Sequence, residues 1–120
     1  MDPLLKRASA GRAVFLTSAV AYKGRAYWGP YAASKAALDA LVRAYAAECA
    51  TTKVCANLFA PGPTRTRMYL GAFPGVDPAT LPSPEEVAKA ILPLCLPDCA
   101  VNGKIYDFRI GKFLEFRPPD

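Results

Sequence analysis

Tyr31 and Lys35 stand four residues apart in the run Y-A-A-S-K. On a helix that spacing sends both side chains from one face, one a turn above the other. A phenol of pKa about 10 is a weak base at neutral pH, and an ammonium group beside it favours the phenolate. The pair therefore suits proton transfer to or from an alcohol or carbonyl oxygen. Ser18 lies thirteen residues before Tyr31, and a serine hydroxyl there could hold the reacting oxygen against the phenol. Tyrosine and lysine at this spacing also occur on ordinary solvated helices, so the elements around the pair must carry the argument.

Those elements read clearly. The run A-V-F-L-T-S at 13–18 predicts a buried strand ending on two hydroxyls, Thr17 and Ser18. A loop punctuated by Gly and Pro follows at 23–30. An alanine-rich helix opens at or just before Tyr31 and covers 32–50, with Ala33, Ala36, Ala37, Leu41, Ala44 and Tyr45 available to face neighbours. V-C-A-N-L-F-A at 54–60 predicts a second buried strand, stopped by Pro61-Gly62-Pro63. Residues 64–81 are irregular, with a short helix expected at 65–70 and the character of a lid or substrate wall. Ser83, Pro84 and Glu86 form a strong helix start for a segment running to Cys95. A third strand is expected at 103–108, the last turn of a helix at 4–7, and a tail at 111–120. Strand alternating with helix argues for a parallel sheet with right-handed crossovers. Sites in such sheets lie outside the carboxyl ends of the strands, where Ser18 can meet the helix bearing Tyr31.

Composition narrows the function classes. The 120 residues allow one domain, and an apolar fraction of 52% allows a core. The net charge of +5 comes from dispersed Lys and Arg without a basic run, which argues against a nucleic-acid partner. Cys49, Cys55, Cys95 and Cys99 match no zinc spacing, and the chain has no histidine to complete a mixed site, so no metal is expected. The cysteines read as reduced thiols of a cytoplasmic protein. No secretory signal and no membrane-spanning run is recognisable.

The pattern of Ser18 followed by Y-x-x-x-K, with G-R-A-V-F-L-T-S before it and N-L-F-A-P-G-P-T-R-T after it, resembles the short-chain dehydrogenase/reductase family. The resemblance covers nearly the whole chain, and is especially similar to the YciK-type bacterial branch through G-R-A-Y-W-G-P-Y-A-A-S-K and P-G-P-T-R-T-R-M. It implies a Rossmann-type doubly wound α/β sheet, here its C-terminal part of about three parallel strands with flanking helices. It implies an NAD(P)-dependent oxidoreductase that interconverts a secondary alcohol and a carbonyl, with NAD or NADP as cofactor and a small-molecule substrate. On this resemblance Ser18, Tyr31 and Lys35 are the catalytic residues. Tyr31, Lys35, Pro61, Gly62, Thr64 and Thr66 would border the nicotinamide half of the cofactor, and the helix at 32–50 would carry a homo-oligomer interface. Trp28 and Tyr27 are either pocket walls or loop anchors, and Ser34 reads as a hydroxyl bonded back to its own helix.

One motif of that family is missing from the sequence. The glycine-rich turn that sets a dinucleotide pyrophosphate on a helix N-terminus occurs nowhere in it, nor does the family's N-A-G stretch. The chain thus reads as the C-terminal catalytic half of the domain, residues 1–120. Tight dinucleotide binding by it alone is not expected. Its first strand is expected at a sheet edge, and its long helix is expected to expose an apolar patch. The alternative function is a non-catalytic remnant or dimerisation module of the same family.

Overall fold

The computed structural model describes residues 1–116. Helix α1 (Asp2–Arg7) leads into strand β1 (Arg12–Leu16), the long helix α2 (Gly29–Glu48) and strand β2 (Cys55–Ala60). Helices α3 (Arg67–Ala72) and α4 (Pro84–Cys95) precede strands β3 (Ile105–Asp107) and β4 (Lys112–Leu114). The sheet order is β1-β2-β3-β4. The first three strands are parallel, with Phe15 opposite Leu58 and Leu58 opposite Ile105. The parallel α/β architecture and the edge position of β1 are as expected from sequence.

The period-two alternation of β2 divides the core into two layers. Ala56, Leu58 and Ala60 face α2, where they meet Ala13, Val42, Ala46 and Ile105. Phe59 faces the other way, against Val87 and Leu94 of α4. Both layers are dry at the centre, since Leu58 and Phe59 are fully buried. Asn57, buried in the same strand, bonds to Val101 O at 2.7 Å and accepts from Lys104 N at 3.1 Å, which fixes the entry to β3.

Several boundaries are set by local contacts. β1 ends at Leu16, although Thr17 N still donates to Phe59 O at 2.9 Å. Ser18 instead caps a single 3-10 turn at Ala19–Ala21, because the partner strand leaves the ladder at Pro61. Helix α2 opens two residues before Tyr31, with Pro30 in its first turn, where a missing N–H costs nothing. Helix α3 sits two residues later than expected, because Thr66 caps it by accepting from Tyr69 N at 3.1 Å. The expected tail contains an ordered strand: β4 pairs antiparallel with β3, and Phe113 meets Tyr106 edge-on at 5.2 Å. The last part of that tail, 117–120, lies outside the described residues.

Helix α4 matches the sequence expectation at both ends, with Ser83 and Glu86 exchanging both bonds of a capping box. All four cysteines are free thiols. Among the described residues, no group of His, Cys, Asp or Glu could hold a metal ion, and no helix is long and apolar enough to cross a membrane.

Candidate active site

The three parallel strands end on one edge, and each ending places a segment of the candidate site. After β1 come Thr17 and Ser18. Ser18 Oγ accepts from Val20 N at 3.4 Å, which leaves its own proton free to donate. The 3-10 turn that Ser18 opens packs against α2, the helix carrying Tyr31 and Lys35. Lys35 Nζ lies 5.9 Å from the centre of the Tyr31 ring and donates to Leu16 O at 2.9 Å. That bond draws the ammonium group to the end of β1, two residues from Ser18. Tyr31 is 36% exposed, so its phenol is open to a ligand. The structure thus brings Ser18, Tyr31 and Lys35 to one end of the sheet.

Helix α2 is locked to the strand end by a contact the sequence did not announce. Thr17 donates its hydroxyl proton to the carboxylate of Asp39, and both residues are buried. Asp39 lies one turn beyond Lys35 on the same face. Burial pushes its carboxyl above the ordinary value, opposed by the Thr17 bond and by the charges of Lys35 and Arg43. A lone Asp on the inward face of an alanine helix was the only signal available in the sequence. Ser34, by contrast, behaves as a back-bonding hydroxyl, donating to Tyr31 O at 2.7 Å.

After β2 comes Pro61-Gly62-Pro63. Gly62 adopts φ +67°, the left-handed region that glycine enters without strain. Thr64 Oγ1 donates to Gly62 O at 3.3 Å, and Thr66 is committed to capping α3. Pro61, Gly62, Thr64 and Thr66 are therefore in one turn beside the strand ends, with their hydroxyls shaping the loop itself.

The loop before Tyr31 is pinned to α3 by aromatic contacts. Trp28 stacks on Phe73 at 5.6 Å and meets Tyr31 edge-on at 5.7 Å. Tyr69 packs on Phe73 at 4.7 Å, and the Arg25 guanidinium lies 4.6 Å from the Trp28 ring and 4.9 Å from Phe73. Trp28 is thus a loop anchor that also walls Tyr31. Tyr27 has φ +68° and is fully exposed, so it walls nothing. Arg25 and Phe73 did not stand out in the sequence, because only the fold places residue 73 beside residue 28.

A parallel sheet with a Y-x-x-x-K helix at its carboxyl edge defines a class, and comparison agrees. Residues 1–74 match the family model described as short chain dehydrogenase. The chain belongs to the short chain dehydrogenase family. The uncharacterized oxidoreductase YciK of Escherichia coli K12 is 43% identical over 111 residues, covering 92% of this chain and 44% of the relative. A short chain dehydrogenase from Pseudomonas syringae superposes with a TM-score of 0.81 at 40% identity, covering 88% of this chain and 43% of that one. Another, from Escherichia coli CFT073 and solved in complex with NADPH, gives 0.76 at 38% identity, covering 88% and 44%. The chain spans less than half the length of these relatives.

Proposed function

We propose that this chain supplies the catalytic part of an NAD(P)-dependent oxidoreductase that interconverts a secondary alcohol and a carbonyl compound. The observation that carries the reading is the meeting of Tyr31, Lys35 and the Ser18 turn at the end of β1. Ser18, with its proton uncommitted, donates to the carbonyl oxygen and holds it beside Tyr31. Tyr31 is the general acid in reduction and the general base in oxidation. The positive charge of Lys35 stabilises the oxygen anion left when the phenol gives up its proton. The nicotinamide cofactor supplies and accepts the hydride, chemistry that no side chain performs.

The residues present fit one half of such a cofactor. Lys35 can turn from Leu16 O to ribose hydroxyls, and the left-handed Gly62 turn with Thr64 and Thr66 offers a small-residue border for the nicotinamide end. The NADPH complex of the Escherichia coli neighbour supports this choice of cofactor class. Adenine and pyrophosphate contacts need a glycine-rich turn, which this sequence lacks. Each lost charge-assisted bond is worth about 1.5–3 kcal/mol, so several together weaken binding by orders of magnitude.

A fusion of this chain to the amino-terminal half of the Escherichia coli relative tests the reading. It should oxidise NADPH in the presence of simple ketones or aldehydes. Tyr31→Phe should remove nearly all turnover, because the ring still packs on Trp28 while the proton donor is gone. Lys35→Ala should lower both kcat and cofactor affinity. A Tyr31→Phe fusion with kcat near that of the parent would overturn the assignment.

A further inference from the structure

The third strand also ends at the carboxyl edge, and it carries a cation that the roles above leave unused. Phe108 N donates to Ala60 O at 3.0 Å, which holds the segment after β3 beside the Pro61-Gly62 turn. Arg109 follows. Its aliphatic stem lies directly over Gly62: a Cβ built on that glycine would come within 2.6 Å of Arg109 Cδ. The glycine thus leaves the space that the arginine occupies. Beside this contact lies a cleft of about 330 Å³, walled by Pro61, Pro63, Leu81, Pro82 and Phe108, with Arg109 as its cation. That volume lies at the small end of the range for ligand sites.

Among the described residues, Arg109 is not committed to an ion pair. Neither ion pair among the described residues, Lys6–Asp2 or Lys104–Glu115, involves Arg109. The neighbouring carboxylate, Asp107, accepts the backbone N–H of Arg109 at 2.9 Å. Tyr22, which closes the Ser18 turn, lies within the field of Arg109. Burial, together with the fields of Asp107 and Asp39, raises the Tyr22 phenol above its ordinary value, and Arg109 opposes them.

We propose that Arg109 binds an anionic group of the substrate, and that the substrate is an oxo acid whose carboxylate sits in this cleft. The inference deepens the reductase reading and rests on it for the word substrate. A planar guanidinium matches a planar carboxylate with two parallel bonds. Apolar walls weaken the competition from water and strengthen the charge pair. Asp107 repels any anion that the arginine does not hold directly, and it repels a dianionic phosphate more than a carboxylate.

Binding to the chain itself tests this without turnover. Amide and arginine Nε resonances would be followed by NMR while 4-oxopentanoate, pentan-2-one or inorganic phosphate is titrated. The oxo acid should shift Gly62 N–H and Arg109 Nε–H saturably, and the ketone should not. Arg109→Met, which keeps the stem over Gly62, should weaken oxo-acid binding at least ten-fold, with Arg109→Lys intermediate. Absence of saturable binding, equal binding by phosphate, or an unchanged affinity in Arg109→Met would each overturn the proposal. A fusion that reduces no carbonyl, while the chain still binds the acid through Arg109, would sink the reductase reading and leave the anion site standing.

Discussion

The two flanks of the sheet are finished differently. On the β3 side, β4 pairs antiparallel across the edge, and Phe59, Tyr106, Phe108 and Phe113 form a continuous aromatic layer. On the β1 side the ladder stops, and Leu16 is 52% exposed at the strand end. Helix α2 repeats the contrast within one element. Its inward face buries Asp39, Val42 and Ala46, while its outward face shows Ala33, Ala36, Ala37, Ala40, Leu41, Ala44 and Ala47. One flank is built to stand in water, and the other presents small apolar side chains and unpaired backbone groups. The candidate catalytic residues belong to the open flank. The proposed anion site belongs to the closed one.

The largest expected effect comes from breaking the closed flank. Phe59→Ala removes a fully buried ring from the layer under α4 and should cost about 3–5 kcal/mol in urea unfolding. A loss below about 1 kcal/mol, smaller than any large-to-small core change of this kind, would show that the aromatic layer is not the stable flank.

A smaller effect, opposite in sign, should come from the buried carboxylate beside the open flank. Asp39 is raised above its ordinary 3.8, chiefly by burial. Its protonated form is the one the fold favours, so its favourable contribution is complete below 3.8 and is lost as pH rises through the raised value. Asp39→Asn keeps an acceptor for Thr17 and removes the charge. Its melting temperature should therefore rise relative to the parent as pH is taken from acid to neutral. A difference between the two that does not vary with pH would mean that the carboxylate is not paying for its burial.

The smallest effect on stability is expected on the outer face of α2, and there the informative readout is mass. Leu41, 68% exposed, can become Asp with a change of about 0.5 kcal/mol or less. In light scattering at micromolar concentration, however, the parent chain should self-associate through this face, and Leu41→Asp should shift it toward monomer. A parent that is already monomeric would show that the open flank needs no cover.

The sequence by itself determined the local elements and the reactive pair. The apolar run V-C-A-N-L-F-A marked β2 as a buried strand, Ser83 with Glu86 set the start of α4, and the four-residue spacing put Tyr31 and Lys35 on one helix face. These depend on interactions spanning a few residues, so a linear reading reaches them. The family was legible for the same reason, through short motifs in a fixed order. Only the tertiary structure decided what lies across from what. Thr17 meets Asp39 over 22 residues, Trp28 meets Phe73, Arg109 lies over Gly62, and Lys112–Leu114 becomes a strand because β3 offers an edge. No local preference specifies such contacts. They follow from how helices pack across a twisted sheet, and that packing places Arg109 beside a turn formed 47 residues earlier.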